Sequence, residues 1–347
     1  MKKFLGILPL LVAILVSVSA VFYTAVSAVG ISPLIKGETL NSGDTPLKDM
    51  SNLFTFSGFT NLKNESAVSS SSASSALVSA KPGEAIGKIY EQFLSPYSAK
   101  LAYNGIYIKN STGLNINIKE ELEKEFKLKI SAGSEPQVLI VHTHATESFL
   151  AEERNYYTAT DKSRDTNNQN NVTHLGEIVA NKLKAAGIGV IHDKTQHDYP
   201  AYNGSYSRAK TTITEYLKKY PSIKIVIDLH RDSIDMKGQD KCKPTVLVKG
   251  KKAAQVMLVM GSETGTVTNF PNWRENLKLA LRYQQTMEAL YPGLARAMTF
   301  CSRCYNENLT TGSMILEVGT DSNSFKEACY SAELAGEALV SLLNRLK

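Results

Sequence analysis

From about residue 136 to the C-terminus, apolar and polar positions alternate between two patterns. Short, nearly unbroken apolar runs have the length and β-branched content of buried strands: QVLIV (137–141), IGVIHD (188–193), IKIVIDLH (223–230), AQVMLVMG (254–261) and GSMILEVGT (312–320). Between and after them lie segments with apolar residues at helical spacing: THLGEIVANKLKAAG (173–187), SYSRAKTTITEYLKKY (205–220), NWRENLKLALRYQQTMEALYPG (272–293) and SFKEACYSAELAGEALVSLLNRL (324–346). Leu175, Ile178, Val179 and Leu183 mark the apolar face of the first, and Gly187 is its expected stop. Pro221 stops the second. Strands alternating with helices predict an α/β domain over 135–347, with an open, mostly parallel sheet and helices on both faces.

Upstream the pattern weakens. Residues 85–134 read as a small N-terminal lobe, with a helix over IGKIYEQFL (86–94) and short alternating segments GIYIKN (105–110) and LNINIKE (114–120). Residues 35–84 include the Ser/Ala-rich stretch ESAVSSSSASSALVSAKPGE and read as a flexible tether. Residues 1–34 open with Lys2 and Lys3 and then run uncharged from Phe4 to Leu34. That length suffices for a transmembrane anchor, and the leading lysines predict an inside N-terminus with the rest of the chain outside. Small residues at Val18-Ser19-Ala20 and Val26-Ser27-Ala28 leave a cleaved signal peptide as the alternative.

Charge and cysteine content narrow the classes. The net charge of the 347 residues is +6, and Lys2 and Lys3 supply two of those charges. The remaining excess suits an anionic surface such as cell wall and gives no case for nucleic acid. Four cysteines are too few for a disulfide scaffold of this length. Cys301 and Cys304 have CxxC spacing and read as an incidental pair or a local disulfide, and Cys242 and Cys329 read as structural.

The chemistry gathers at strand ends, where open α/β sheets build their sites. One strand runs into His142 and His144, with Glu147 close behind. A second runs into His230, Arg231 and Asp232, and a third into Glu317. If these strands are parallel neighbours, imidazoles and carboxylates converge on one rim. Two histidines, an oxygen ligand and a water make a catalytic zinc site. A further carboxylate, Glu317, would handle the proton of the water, and Asp228 or Asp232 would orient His230. The segment HDYPAYNGSYSR (197–208) holds three tyrosines and an arginine, a composition suited to sugar and peptide contacts or to a packed loop. His192, Tyr202 and Arg208 are the candidate substrate contacts.

VLIVHTHATESF, GIGVIHDKTQHDYPAYNGSYSRAKTTITEYLKKYPSIKIVIDLHRDS, PNWRENLKLALRYQQTMEALYPGLAR and GSMILEVGTDSNSFKEACYSAELAGEAL together resemble the stage II sporulation protein P family. The resemblance covers roughly 136–347 and includes the anchor-and-tether layout. It implies an amidase-like fold, zinc, and N-acetylmuramoyl-L-alanine amidase and endopeptidase activity on peptidoglycan during forespore engulfment. It implies a location at the cell membrane, facing the space between mother cell and forespore. A SpoIID-type lytic transglycosylase and a SpoIIM-type membrane scaffold are the implied partners. Carried onto this chain, it makes His142 and His230 zinc ligands and Glu317 the catalytic glutamate. Related amidases place a glutamate just before the first crossover helix, where this chain has asparagines in DTNNQNNVTHLGE, so the third ligand stays open. Glu147 is the first choice, ahead of His144 and then His174. Arg231 is the candidate oxyanion donor or stem-peptide contact. A surface zinc peptidase acting on proteins and a non-catalytic wall-binding scaffold are the rival readings.

Overall fold

The computed structural model describes residues 84–131 and 133–347. The expected anchor (1–34) and nearly all of the tether (35–84) lie outside the described residues. Among the described residues no helix is long and apolar enough to cross a membrane.

An eight-stranded sheet organises the chain. Its strands are β2 (Leu101–Tyr103), β3 (Ile106–Asn110), β4 (Gly133–Val141), β6 (Ile188–His192), β7 (Ile225–Asp232), β10 (Val256–Gly261), β11 (Met298–Cys301) and β12 (Ser313–Thr320), in the order β2-β3-β11-β10-β12-β7-β4-β6. The run β12-β7-β4-β6 is parallel throughout. β10 lies antiparallel to β12, β11 and β3 continue parallel to β10, and β2 closes the edge antiparallel to β3. The expected mostly parallel α/β sheet is what forms.

Alternation along each strand feeds two faces. Val138 and Ile140 of β4, with Ile225, Ile227 and Leu229 of β7, join the main core under α2 (Val172–Ala185), α4 (Trp273–Leu290) and α5 (Phe325–Asn344). Leu139, Val141 and Val226 face the other way, against Ile213 of α3 (Ser205–Lys219). Helices therefore cover both faces. From β12 outward the second face carries a small apolar cluster of Met257, Val259 and Ile315, with Cys301 and Tyr305 packed on them.

Local chemistry sets the helix ends. Asn171 caps α2 by accepting from Thr173 N–H, and Gly187 follows that helix at φ +70°, a conformation glycine adopts without strain. Ser324 and Glu327 form a reciprocal capping box on α5, a device that contributes about 1 kcal/mol.

Residues 85–134, read from the sequence as a lobe, supply strands to both sheets of the fold. β2 and β3 extend the large sheet. β1 (Ala85–Gln92) joins a four-stranded sheet with β5 (Tyr156–Thr158), β8 (Lys241–Val248) and β9 (Lys251–Ala254), in the order β5-β1-β8-β9. The helix expected over 86–94 is thus a strand. A segment that short has little helical stability of its own, and pairing on both edges decides its state. Gly87 helps: a Cβ there would stand 2.1 Å from the carbonyl oxygen of Gln239. One short helix in this region, α1 (Ile118–Glu123), is capped by Asn117.

Candidate metal centre

β4 ends at Val141, and the chain turns sharply to return as residues 147–150. Asp228 of the neighbouring β7 holds the start of the turn, accepting from Thr143 N–H at 2.8 Å and from its hydroxyl at 2.6 Å. Buried Asp198 holds the middle through the Thr146 hydroxyl at 2.6 Å and Arg164 Nη1 at 2.6 Å. The end is fixed by Val172 N–H donating to the Glu147 carbonyl at 2.8 Å.

This turn delivers His144 and Glu147 to His230 of β7. All three are buried, and one ligand atom from each lies within 4.8 Å of the others. Glu147 Oε1 is 3.6 Å from His144 Nδ1, and Oε2 is 3.4 Å from His230 Nδ1. Ligands on one tetrahedral zinc ion stand about 3.3–3.4 Å apart, so a zinc ion would draw the three groups slightly closer together. Neighbouring groups orient both rings. His144 Nε2 meets Ser205 Oγ at 3.1 Å, leaving Nδ1 toward Glu147. His230 Nε2 lies 2.8 Å from Asp228 Oδ1, although out of line for a hydrogen bond.

The charges of the cluster are strongly interdependent. Burial pushes the Glu147 carboxyl up, but Arg231 and the two imidazoles hold it well below the usual range. Burial pushes His230 down, but Asp228 and Glu147 raise it well above its ordinary value. Without a metal the cluster therefore draws a proton to itself.

Glu317 pairs with His230 across β12 and β7 and so shares its face of the sheet. Its Oε2 is sealed from solvent without a hydrogen-bond partner. Burial is the main cause that raises its carboxyl to about 8, with Asp232 and Glu147 adding to the rise against His230 and Arg296.

Several expected residues stand elsewhere. His142 stands outside the His144–Glu147–His230 cluster. Val141 pairs with Asp228, so His142 lies beside Leu229 on the main-core face, away from His230. Its Nδ1 donates to the Leu229 carbonyl at 2.9 Å, which fixes the proton there, and its Nε2 accepts from His192 Nε2 at 2.9 Å. Burial lowers His142 to about 4 and His192 to about 2, so the pair is neutral. His192 is therefore a hydrogen-bond partner of His142. The Arg231 guanidinium bonds the carbonyls of Ser148, Ser163 and Asp232, and its backbone N–H bonds Glu147 Oε2 at 3.2 Å. Arg208 likewise clamps the carbonyls of His197, Asn203 and Ala201 within its own loop. His197 bridges the His142 carbonyl and Thr212. His174 packs on Phe325 with its Nδ1 buried and unbonded. The four cysteines are free.

Tyr202 does reach the site. It stacks on His144 at 4.7 Å, under the Arg164 guanidinium, also at 4.7 Å, and is 37% exposed. Sequence reading missed Arg164, Asp198, Ser205 and Tyr206. Tyr206 sets its edge on His144 at 5.5 Å and packs on Tyr305. The SYSR start of α3 was its available signal, since residues at the N-terminus of a helix after a parallel strand face the rim.

Fold and site together define an α/β protein with a buried histidine–carboxylate cluster, able to hold a metal ion, at the carboxyl rim of its sheet. The chain belongs to the stage II sporulation protein P (SpoIIP) family, whose profile matches residues 67–340. It is 29% identical over 220 residues to stage II sporulation protein P of Bacillus subtilis (strain 168), an alignment spanning 60% of this chain and about half (51%) of that relative. Among solved structures it is similar to the N-acetylmuramoyl-L-alanine amidase AmiC2 of Nostoc punctiforme, at 11% identity and a TM-score of 0.38, over 61% of this chain and 97% of that one. It is also similar to the CwlD amidase from Clostridioides difficile in complex with the GerS lipoprotein, at 10% identity and a TM-score of 0.37, over 60% and 98% of the two chains.

Proposed function

We propose that this protein is a zinc-dependent peptidoglycan hydrolase, cleaving the lactyl–L-alanine amide and peptide cross-links of the wall during engulfment in sporulation. The observation that carries the reading is the buried His144–Glu147–His230 set with Glu317 in register beside it. Zinc, when bound, would polarise the scissile carbonyl and activate water. His144, Glu147 and His230 would hold it, with Ser205 and Asp228 keeping both rings turned inward. Glu317 would take the proton from the attacking water and pass it to the leaving amine. A divalent charge beside Glu317 favours the carboxylate form that this role needs. Tyr202 and Tyr206 would form the aromatic lip against which the substrate lies.

The chain would sit in the cell membrane through residues 1–34, with the hydrolase outside, working alongside a SpoIID-type lytic transglycosylase and a SpoIIM-type scaffold. The test uses the full chain on purified sacculi, with zinc or chelator, and mass spectrometry of the released fragments. Free stem peptides that disappear with chelator are expected, and cross-link products in the same digest would add the endopeptidase. Intact sacculi beside folded, zinc-loaded protein would remove the hydrolase reading.

A further inference from the structure

Arg164 is carried past the metal turn on a strap of chain. Ser148 N–H donates to the Ser163 carbonyl at 3.0 Å, and Asp165 N–H donates to the Thr146 carbonyl at 2.8 Å. Residues 163–165 are thus tied to both sides of Glu147, with which Arg164 forms a β-bridge. The Arg164 side chain is 39% exposed, against 8% for Glu147, and its Nη2 stands 4.0 Å from Glu147 Oε1. That is beyond hydrogen-bond range. A partly open cation therefore borders the buried His144–Glu147–His230 cluster.

The two edges of this guanidinium are in different states. Nη1 is committed, donating to Asp198 Oδ2 at 2.6 Å and to Thr146 Oγ1 at 3.2 Å. Nε and Nη2, the side-on fork, make no hydrogen bond among the described residues. Tyr202 lies under the guanidinium at 4.7 Å and itself stacks on His144, with 21° between the rings. A cation–π contact uses the face of the guanidinium and leaves the donors in its plane available. Asp198 at one edge and Tyr202 beneath hold the unspent fork in place, which reduces the ordering cost of binding a ligand there. Arg208 and Arg231 differ, since their side chains donate to backbone carbonyls around them.

We infer that Arg164 is the specificity residue of this centre, its free edge taking a carboxylate of the substrate's peptide stem. The inference rests on the hydrolase reading and names an anionic group that its substrate carries. A planar pair of N–H donors with a full positive charge matches a carboxylate in shape and sign. An oxygen about 2.8 Å from Nη2 falls within about 7 Å of Glu147 Oε1, the span of about two extended residues. The carboxylate selected is therefore the one within about two residues of the amide that is cleaved.

The test measures binding apart from cleavage. Two synthetic muramoyl stem peptides are used, with the carboxylate nearest the scissile amide free in one and amidated in the other. Both are titrated calorimetrically into the zinc-loaded full chain carrying Glu317→Gln, and kcat and KM are measured with Glu317 intact. The free acid should bind about tenfold tighter and show the lower KM. Arg164→Gln should bring the free acid to the level of the amide. Arg164→Lys, which keeps the charge beside Asp198 but loses the fork, should restore part of the preference. If Arg164→Gln loosens the turn, seen as lost zinc, Tyr202→Leu carries the test, since it removes the support of the fork and should shrink the preference. Equal or absent affinity for the two peptides would overturn the anchor even if cleavage occurs. So would a preference untouched by these variants, or an equal fall in kcat on both peptides with KM unmoved. A carboxylate preference in a chain that cleaves nothing would keep the anchor and remove the hydrolase.

Discussion

Glu317 stands directly across from His230, residue for residue, in the pairing of β12 with β7. The relationship ties a carboxylate from the last strand to a ring from a strand some ninety residues earlier. Substituting Glu317 with glutamine keeps the shape and removes the proton acceptor. Amide cleavage is expected to fall by about 10²–10⁴-fold. Zinc content should be unchanged, and the melting temperature equal or higher, since a buried unpaired carboxyl is replaced. Single-turnover kinetics with metal analysis on the same sample checks both.

The two neighbouring histidines should separate cleanly. His144→Ala is expected to lose bound zinc and the rise in melting temperature that zinc gives the parent chain. His142→Ala should keep both and lose about 1–3 kcal/mol of stability, because it strands the Leu229 carbonyl and His192. Equal zinc loss in both variants would return His142 to the ligand set.

Gly176 lies where α2 crosses the histidine pair. A Cβ there would stand 2.5 Å from His142 Nε2 and 2.7 Å from His192 Nε2. Gly176→Ala should destabilise the fold by about 1–3 kcal/mol. Combining it with His192→Ala should cost less than the sum of the single changes, a coupling that a double-mutant denaturation cycle reads directly.

Glu307 predicts a pH dependence. Burial raises its carboxyl well above the ordinary value of 4.5, with one oxygen bonded to Gly261 N–H at 2.8 Å and the other unpaired. In the unfolded chain it ionises near its ordinary value. The stability it confers is therefore complete below about pH 4.5 and falls as pH rises toward its folded value, by up to about 1.4 kcal/mol per pH unit. Glu307→Gln keeps the acceptor for Gly261 and should flatten this part of the curve. Urea melts of both proteins between pH 4 and pH 8 test the sign.

The apolar runs carried the central strands and the long helices legibly, because burial on two faces leaves little choice of residue. They also placed Glu147, His230 and Glu317 at strand ends. Which of His142 and His144 turns toward His230 depends on the turn after β4, and the groups that hold it, Asp228 and Asp198, come from far along the chain. The direction of Arg231 was readable: it follows His230 in a strand and so faces the other side. Arg164 and Asp198 were out of reach, since they meet only when two loops fold over each other. The 86–94 strand owes its state to partners far along the chain.

The interlock of Gly176 with His142 and His192 also bears on how such a chain can change over time. None of the three has room to vary alone: a larger residue on the helix displaces a ring, and loss of a ring opens a void beneath the metal turn. Descendants of this sequence would therefore drift at these positions as a unit. Paired substitutions there, across related chains, would record the packing beneath the site even where the ligands themselves never vary.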